Sequence, residues 1–90
     1  MKAARGIVRG TVQGVGFRFF TRKTASRLGV SGWVRNREDG GVEFFGQGDE
    51  KALADFLEGV RQGPFAGTVD SVDLSDAKID ASMKGFDIRF

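Results

Sequence analysis

The first stretch of this chain able to do chemistry is Gln13-Gly14-Val15-Gly16-Phe17-Arg18. Two glycines two apart let a backbone turn tightly and present its N–H groups outward. Apolar residues recurring at helical spacing follow, so the stretch ends on a helix N-terminus. Such an end adds further free N–H groups and the positive end of the helix dipole. Arg18 supplies a fork that stays charged at any physiological pH. These are the parts of a small site for a phosphate-like anion. The same residues also read as a Gly-rich turn beside an exposed arginine, and short Gly-rich loops are common.

Several elements must position that loop. Arg5 to Val12 alternates and predicts a strand, with Ile7, Arg9 and Thr11 on one face and Val8, Gly10 and Val12 on the other. The spacing predicts a helix over Phe19 to Leu28, whose apolar stripe takes in Phe17, Phe20, Thr24, Ala25 and Leu28 as core residues. A second strand is expected over Val30 to Arg37 and a third over Gly41 to Gln47, joined at the hairpin signal Asp39-Gly40. Asp49 then stands as N-cap of a second helix that buries Leu53, Phe56, Leu57 and Val60 and stops at Gly63-Pro64. Thr68 to Leu74 and Phe86 to Phe90 read as two more strands, with strand end and loop over Asp76 to Lys84. The order β-α-β-β-α-β plus a terminal strand predicts one α+β domain over residues 1–90. Its arrangement is the ferredoxin-like sandwich: two helices on one face of an antiparallel sheet. Many unrelated functions use that fold, so it chooses none of them.

Composition narrows the choice. The 90 residues contain no cysteine and no histidine, which removes disulfides, thiolate chemistry and the commonest general base and metal ligand. Glu38, Asp39 and Glu43 lack the spacing of a metal loop. The Gly-Lys-Ser/Thr ending of a nucleotide P-loop is missing too. No metal and no cofactor is expected. No apolar segment reaches membrane-spanning length, so a cytoplasmic protein with no membrane partner is expected. The net charge of +2 is unevenly spread. Residues 1–37 hold nine basic side chains and no acid; residues 38–90 hold five basic and twelve acidic ones, or −7. The positive field therefore belongs to the half that carries the glycine loop.

Two motifs make the reading specific. Gly10-Thr11-Val12-Gln13-Gly14-Val15-Gly16-Phe17-Arg18 is followed by Gly32-Trp33-Val34-Arg35-Asn36, then by Gly40, Val42 and Gly48. Together they closely resemble the acylphosphatase family, and the resemblance runs on through Gly63-Pro64, Val69 and Gly85-Phe86-Asp87-Ile88-Arg89. It implies hydrolysis of the carboxyl–phosphate bond of a small-molecule acylphosphate. Inorganic phosphate would be both product and competitive inhibitor. It implies that Arg18 and the backbone of Gln13, Gly14, Val15, Gly16 and Phe17 hold the phosphoryl group, and that Asn36 positions the attacking water. Gly67 departs from the family, which usually has alanine there. Read without the resemblance, Asn36 is equally a turn residue before the hairpin. Trp33 reads as core, and Arg35 and Arg37 as solvated residues adding field near the site mouth.

The chemistry agrees with this implication. The leaving group of an acylphosphate is a weakly basic carboxylate that needs no acid catalyst. Positioning and charge stabilisation are the work left to a protein. A monomeric enzyme with no nucleic-acid partner is the expectation. Its rivals are phosphate-binding, RNA-binding or regulatory modules without turnover. RNA-recognition motifs share the layout, with Phe44 and Phe45 as candidate stacking residues, but their full aromatic strand pattern is missing. Acylphosphatase-like domains of larger hydrogenase-maturation proteins resemble the loop as well.

Overall fold

The computed structural model describes residues 1–90. In chain order the elements are β1 (Lys2–Thr11), α1 (Phe17–Leu28), β2 (Ser31–Asn36), β3 (Val42–Gly48), α2 (Glu50–Gln62), β4 (Thr68–Asp76) and β5 (Phe86–Arg89). The strands form one sheet in the order β4-β1-β3-β2-β5. Four of them are antiparallel, as expected. The fifth is not: β5 runs parallel to β2, with Gly32 opposite Phe86 and Arg35 opposite Arg89, so the sheet is mixed. Residues 77–85 carry the chain from β4 at one edge of the sheet to β5 at the other, so β5 is not the hairpin partner of the strand before it and can run parallel to β2.

This topology assembles the site. β1 and β2 are each antiparallel to β3, and β5 is parallel to β2, so the C-terminal ends of β1, β2 and β5 all lie at the same end of the sheet. α1 follows β1 directly and begins at that end. The glycine loop, Asn36 at the end of β2 and Phe90 just past β5 are brought together although 53 residues lie between Asn36 and Phe90 in the chain.

The main core lies between helices and sheet. Val8, Val34, Val42, Phe44, Phe56 and Val60 are fully buried there, with Phe17 and Phe86. Phe56 meets Phe44 edge-on at 5.6 Å and Phe86 at 5.7 Å between ring centroids. Burying one such ring contributes about 1.5–3 kcal/mol. α1 starts at Phe17, two residues before the predicted start, and its inner face is Phe17, Thr21, Thr24 and Ala25. Phe20 is only half-buried, leaning on Phe17. Thr21 takes the central position, its hydroxyl donating to the Phe17 carbonyl at 2.9 Å. Asp49 does occupy the N-cap of α2, but its side chain makes no capping hydrogen bond.

The other sheet face carries a smaller cluster of Ala3, Trp33 and Phe45. Trp33 is core, as expected, though on this second face. The segment after β4 covers the cluster with Ala77 and Met83. Gln47 pins that segment, donating to the Asp80 carbonyl at 2.8 Å and accepting from its N–H at 2.7 Å.

Candidate active site

The loop between β1 and α1 turns on Gly14 and Gly16, whose φ values of 76° and 77° lie in the left-handed region that L side chains rarely adopt. A Cβ added at either would meet nothing within 4 Å. Backbone conformation, and not crowding, requires glycine at both. Gly16 is also the N-cap of α1 and gives it no side-chain cap. None of the backbone N–H groups from Gly14 to Phe19 donates a hydrogen bond within the protein. Beside them is a hollow of about 150 Å³ lined by Val12, Gly14, Gly16, Phe17, Arg18, Phe19 and Asn36. A row of unpaired N–H groups at a helix start is able to cradle an oxyanion.

Arg18 stands at that cradle without a counter-ion. It forms no ion pair, and the first turn of α1 contains no acid. A cation at a helix N-terminus is disfavoured by the dipole, so its placement there suits an anionic ligand. The C-terminus holds it in place. Arg18 Nη1 donates to the Arg89 carbonyl at 3.4 Å, and the Phe90 ring lies 4.9 Å from the guanidinium carbon. Nothing in the residue types around Phe90 signals this contact, which depends on β5 ending beside α1.

Asn36 closes the site from the sheet. It is exposed and its side-chain amide makes no hydrogen bond to the protein, which leaves the amide free to bind water or ligand. Gln13 has a different task. Its amide nitrogen donates to the Arg37 carbonyl at 2.7 Å and the Gly41 carbonyl at 2.8 Å, tying the cradle loop to the β2–β3 hairpin that carries Asn36. The Gln13 side chain is thus a tether, and only its backbone faces the loop. Replacing Gln13 by alanine is expected to cost about 1–2 kcal/mol of stability and to lower kcat by about tenfold by loosening Asn36 from the cradle. Thermal unfolding and steady-state kinetics check this; wild-type values in both would remove the tether.

Arg35 and Arg37 are not simply solvated. Arg35 binds Glu43 at 2.8 Å and 3.1 Å, and Arg37 pairs with Asp39 at 3.1 Å and reaches Glu43 at 3.5 Å. Asp39 also accepts the Gly41 N–H at 3.1 Å and pairs with Arg9 at 3.0 Å. The Gly41 hydrogen bond first, then the Arg9 contact, lower its pKa to about 2. The hairpin is therefore clasped by ion pairs among Arg9, Arg35, Arg37, Asp39 and Glu43, whereas Arg18 pairs with no acid. Gly67 is remote in sequence but adjacent in space: a Cβ there would lie 3.1 Å from Val15 of the cradle loop and 3.0 Å from the Thr11 carbonyl. Its departure from alanine thus bears on how that loop is packed.

A larger hollow of about 580 Å³ lies between β1, α2 and β4, but Lys2, Glu50, Leu53 and Leu57 bring no set of converging donors to it. No group of three or more acidic residues comes together to hold a metal ion. No helix is long and apolar enough to cross a membrane.

The acylphosphatase family model matches residues 4–88. An acylphosphatase of Koribacter versatilis is 45% identical over 85 residues, covering 94% of this chain and 77% of the relative. The crystal structure of an acylphosphatase from Bacillus subtilis superposes with a TM-score of 0.95 at 38% identity, covering each chain completely. Full-length HypF, solved in a phosphate- and nucleotide-bound form, contains a similar unit. There the TM-score is 0.84 at 26% identity, over all of this chain and 12% of that one.

Proposed function

This chain belongs to the acylphosphatase family, and from that premise we propose that it hydrolyses the carboxyl–phosphate bond of small acylphosphates through Arg18, the loop N–H groups and Asn36. The observation that carries the reading is the row of unpaired N–H groups from Gly14 to Phe19 beside an arginine with no counter-ion. The phosphoryl group lies in the cradle, and its equatorial oxygens meet the N–H groups where transition-state charge collects. Arg18 takes two of those oxygens with its parallel N–H donors. Asn36 orients a water for in-line attack. Water oxygen bonds to phosphorus, the P–O bond to the acyl carboxylate breaks, and the carboxylate leaves with the bonding electrons. Asn36 has no titratable group, so the water's proton passes to a phosphoryl oxygen. The leaving carboxylate is weakly basic and needs no proton, which suits a site without histidine. The charge that a metal would neutralise elsewhere falls here to Arg18 and the backbone.

Purified protein assayed with benzoyl phosphate in chelator, with and without inorganic phosphate, tests this. Turnover that phosphate competes away is the expected result. Phosphate binding without turnover would instead favour a module that only binds the anion. Loss of turnover on adding chelator would overturn the metal-free mechanism.

A further inference from the structure

Phe19 is a large apolar residue with no structural use. It is 65% exposed and touches no core cluster, yet it lines the hollow that holds the cradle. Successive helix residues are about 100° apart. Phe19 thus sits about 200° around α1 from Phe17, on the side away from the buried face of Phe17, Thr21, Thr24 and Ala25. Asn36 reaches the same helix start from the sheet. Phe19 therefore stands on the side of the helix start away from the sheet, and Asn36 on the sheet side.

In-line displacement puts the attacking water and the leaving oxygen on opposite sides of phosphorus. With the water held at Asn36, the acyl group departs on the far side, where Phe19 stands. The ring is steadied by Arg22, whose guanidinium carbon lies 5.3 Å from its centroid and which pairs with no carboxylate. We propose that Phe19 is the platform for the acyl group, and that this protein prefers acylphosphates whose acyl part is aromatic or extended and apolar. A second hollow lies beside Asn36, between Arg35, Arg37 and Phe90. It is on the water side, and its arginines are already paired.

This assignment rests on the acylphosphatase reading above, and two substrates separate the two claims. The measurement is the ratio of kcat/KM for benzoyl phosphate to that for acetyl phosphate. Phe19→Ala is expected to lower the ratio by about tenfold, the scale of one aromatic contact, and Phe19→Trp to keep it within about twofold of wild type. A purely structural role would lower both rates together and leave the ratio alone. An unchanged ratio in the alanine variant, or equal loss in the tryptophan variant, overturns the platform while leaving the activity intact. No turnover of either substrate by the wild-type protein overturns both claims.

Discussion

Arg18→Ala is expected to lower kcat by about a hundredfold or more and to remove competitive inhibition by inorganic phosphate. The two effects share a cause. Arg18 pairs with no acid, so under the proposed mechanism its charge is available to the phosphoryl group in the ground state and in the transition state. Phosphate resembles the bound half of the substrate and meets the same donors. Arg18→Lys is expected to fall between, because a point charge cannot hold two oxygens in parallel. It would also leave the Phe90 ring and the Arg89 carbonyl without their guanidinium partner. Arg18 is not part of the buried face of α1. An alanine there also suits a helix, so the variant should unfold at nearly the wild-type temperature. Inhibition by phosphate at the wild-type constant would show that the anion is held elsewhere.

Asn36→Ala is expected to separate the two properties that Arg18 joins. Turnover should fall by about a hundredfold, the scale of a misplaced reacting group, while the inhibition constant for phosphate stays near that of wild type. The Asn36 side chain bonds to nothing in the protein, so its loss leaves no buried group unpaired, and the residue keeps its place in β2 through its backbone pairing with Val42. What disappears is one hydrogen-bonding amide facing the hollow. If phosphate binding weakens along with turnover, Asn36 contacts the phosphoryl oxygens and does not orient water. Inhibition by phosphate, read beside kcat, decides between these roles in a single set of assays.

Much of this architecture is legible in the order of the residues. The alternation of Arg5 to Val12, the helical spacing around Phe17 and Thr24 and the Asp39-Gly40 hairpin are local signals, each set by backbone sterics and nearest neighbours. Those signals place every element within a few residues, and the two motifs single out Arg18 and Asn36. The pattern misleads where neighbours along the chain do not decide. Phe20 reads as core by spacing, but Thr21 takes the central position because its hydroxyl is satisfied by the Phe17 carbonyl. Arg35 and Arg37 read as solvated, though the register of the β2–β3 hairpin sets Glu43 directly opposite Arg35 and the turn brings Asp39 to Arg37.

The elements, the glycine loop with its arginine, and the family thus follow from the amino-acid order alone. How the site is supported follows from tertiary packing. That packing brings the Gln13 amide to the β2–β3 hairpin, the Phe90 ring to Arg18, Gly67 to Val15, and Phe19 and Asn36 to one hollow at the start of α1. The reason is physical. Turns and periodicities are encoded in a few adjacent residues, whereas these contacts depend on which strand edges end together, and the parallel pairing of β5 with β2 is set by the packing of the whole sheet.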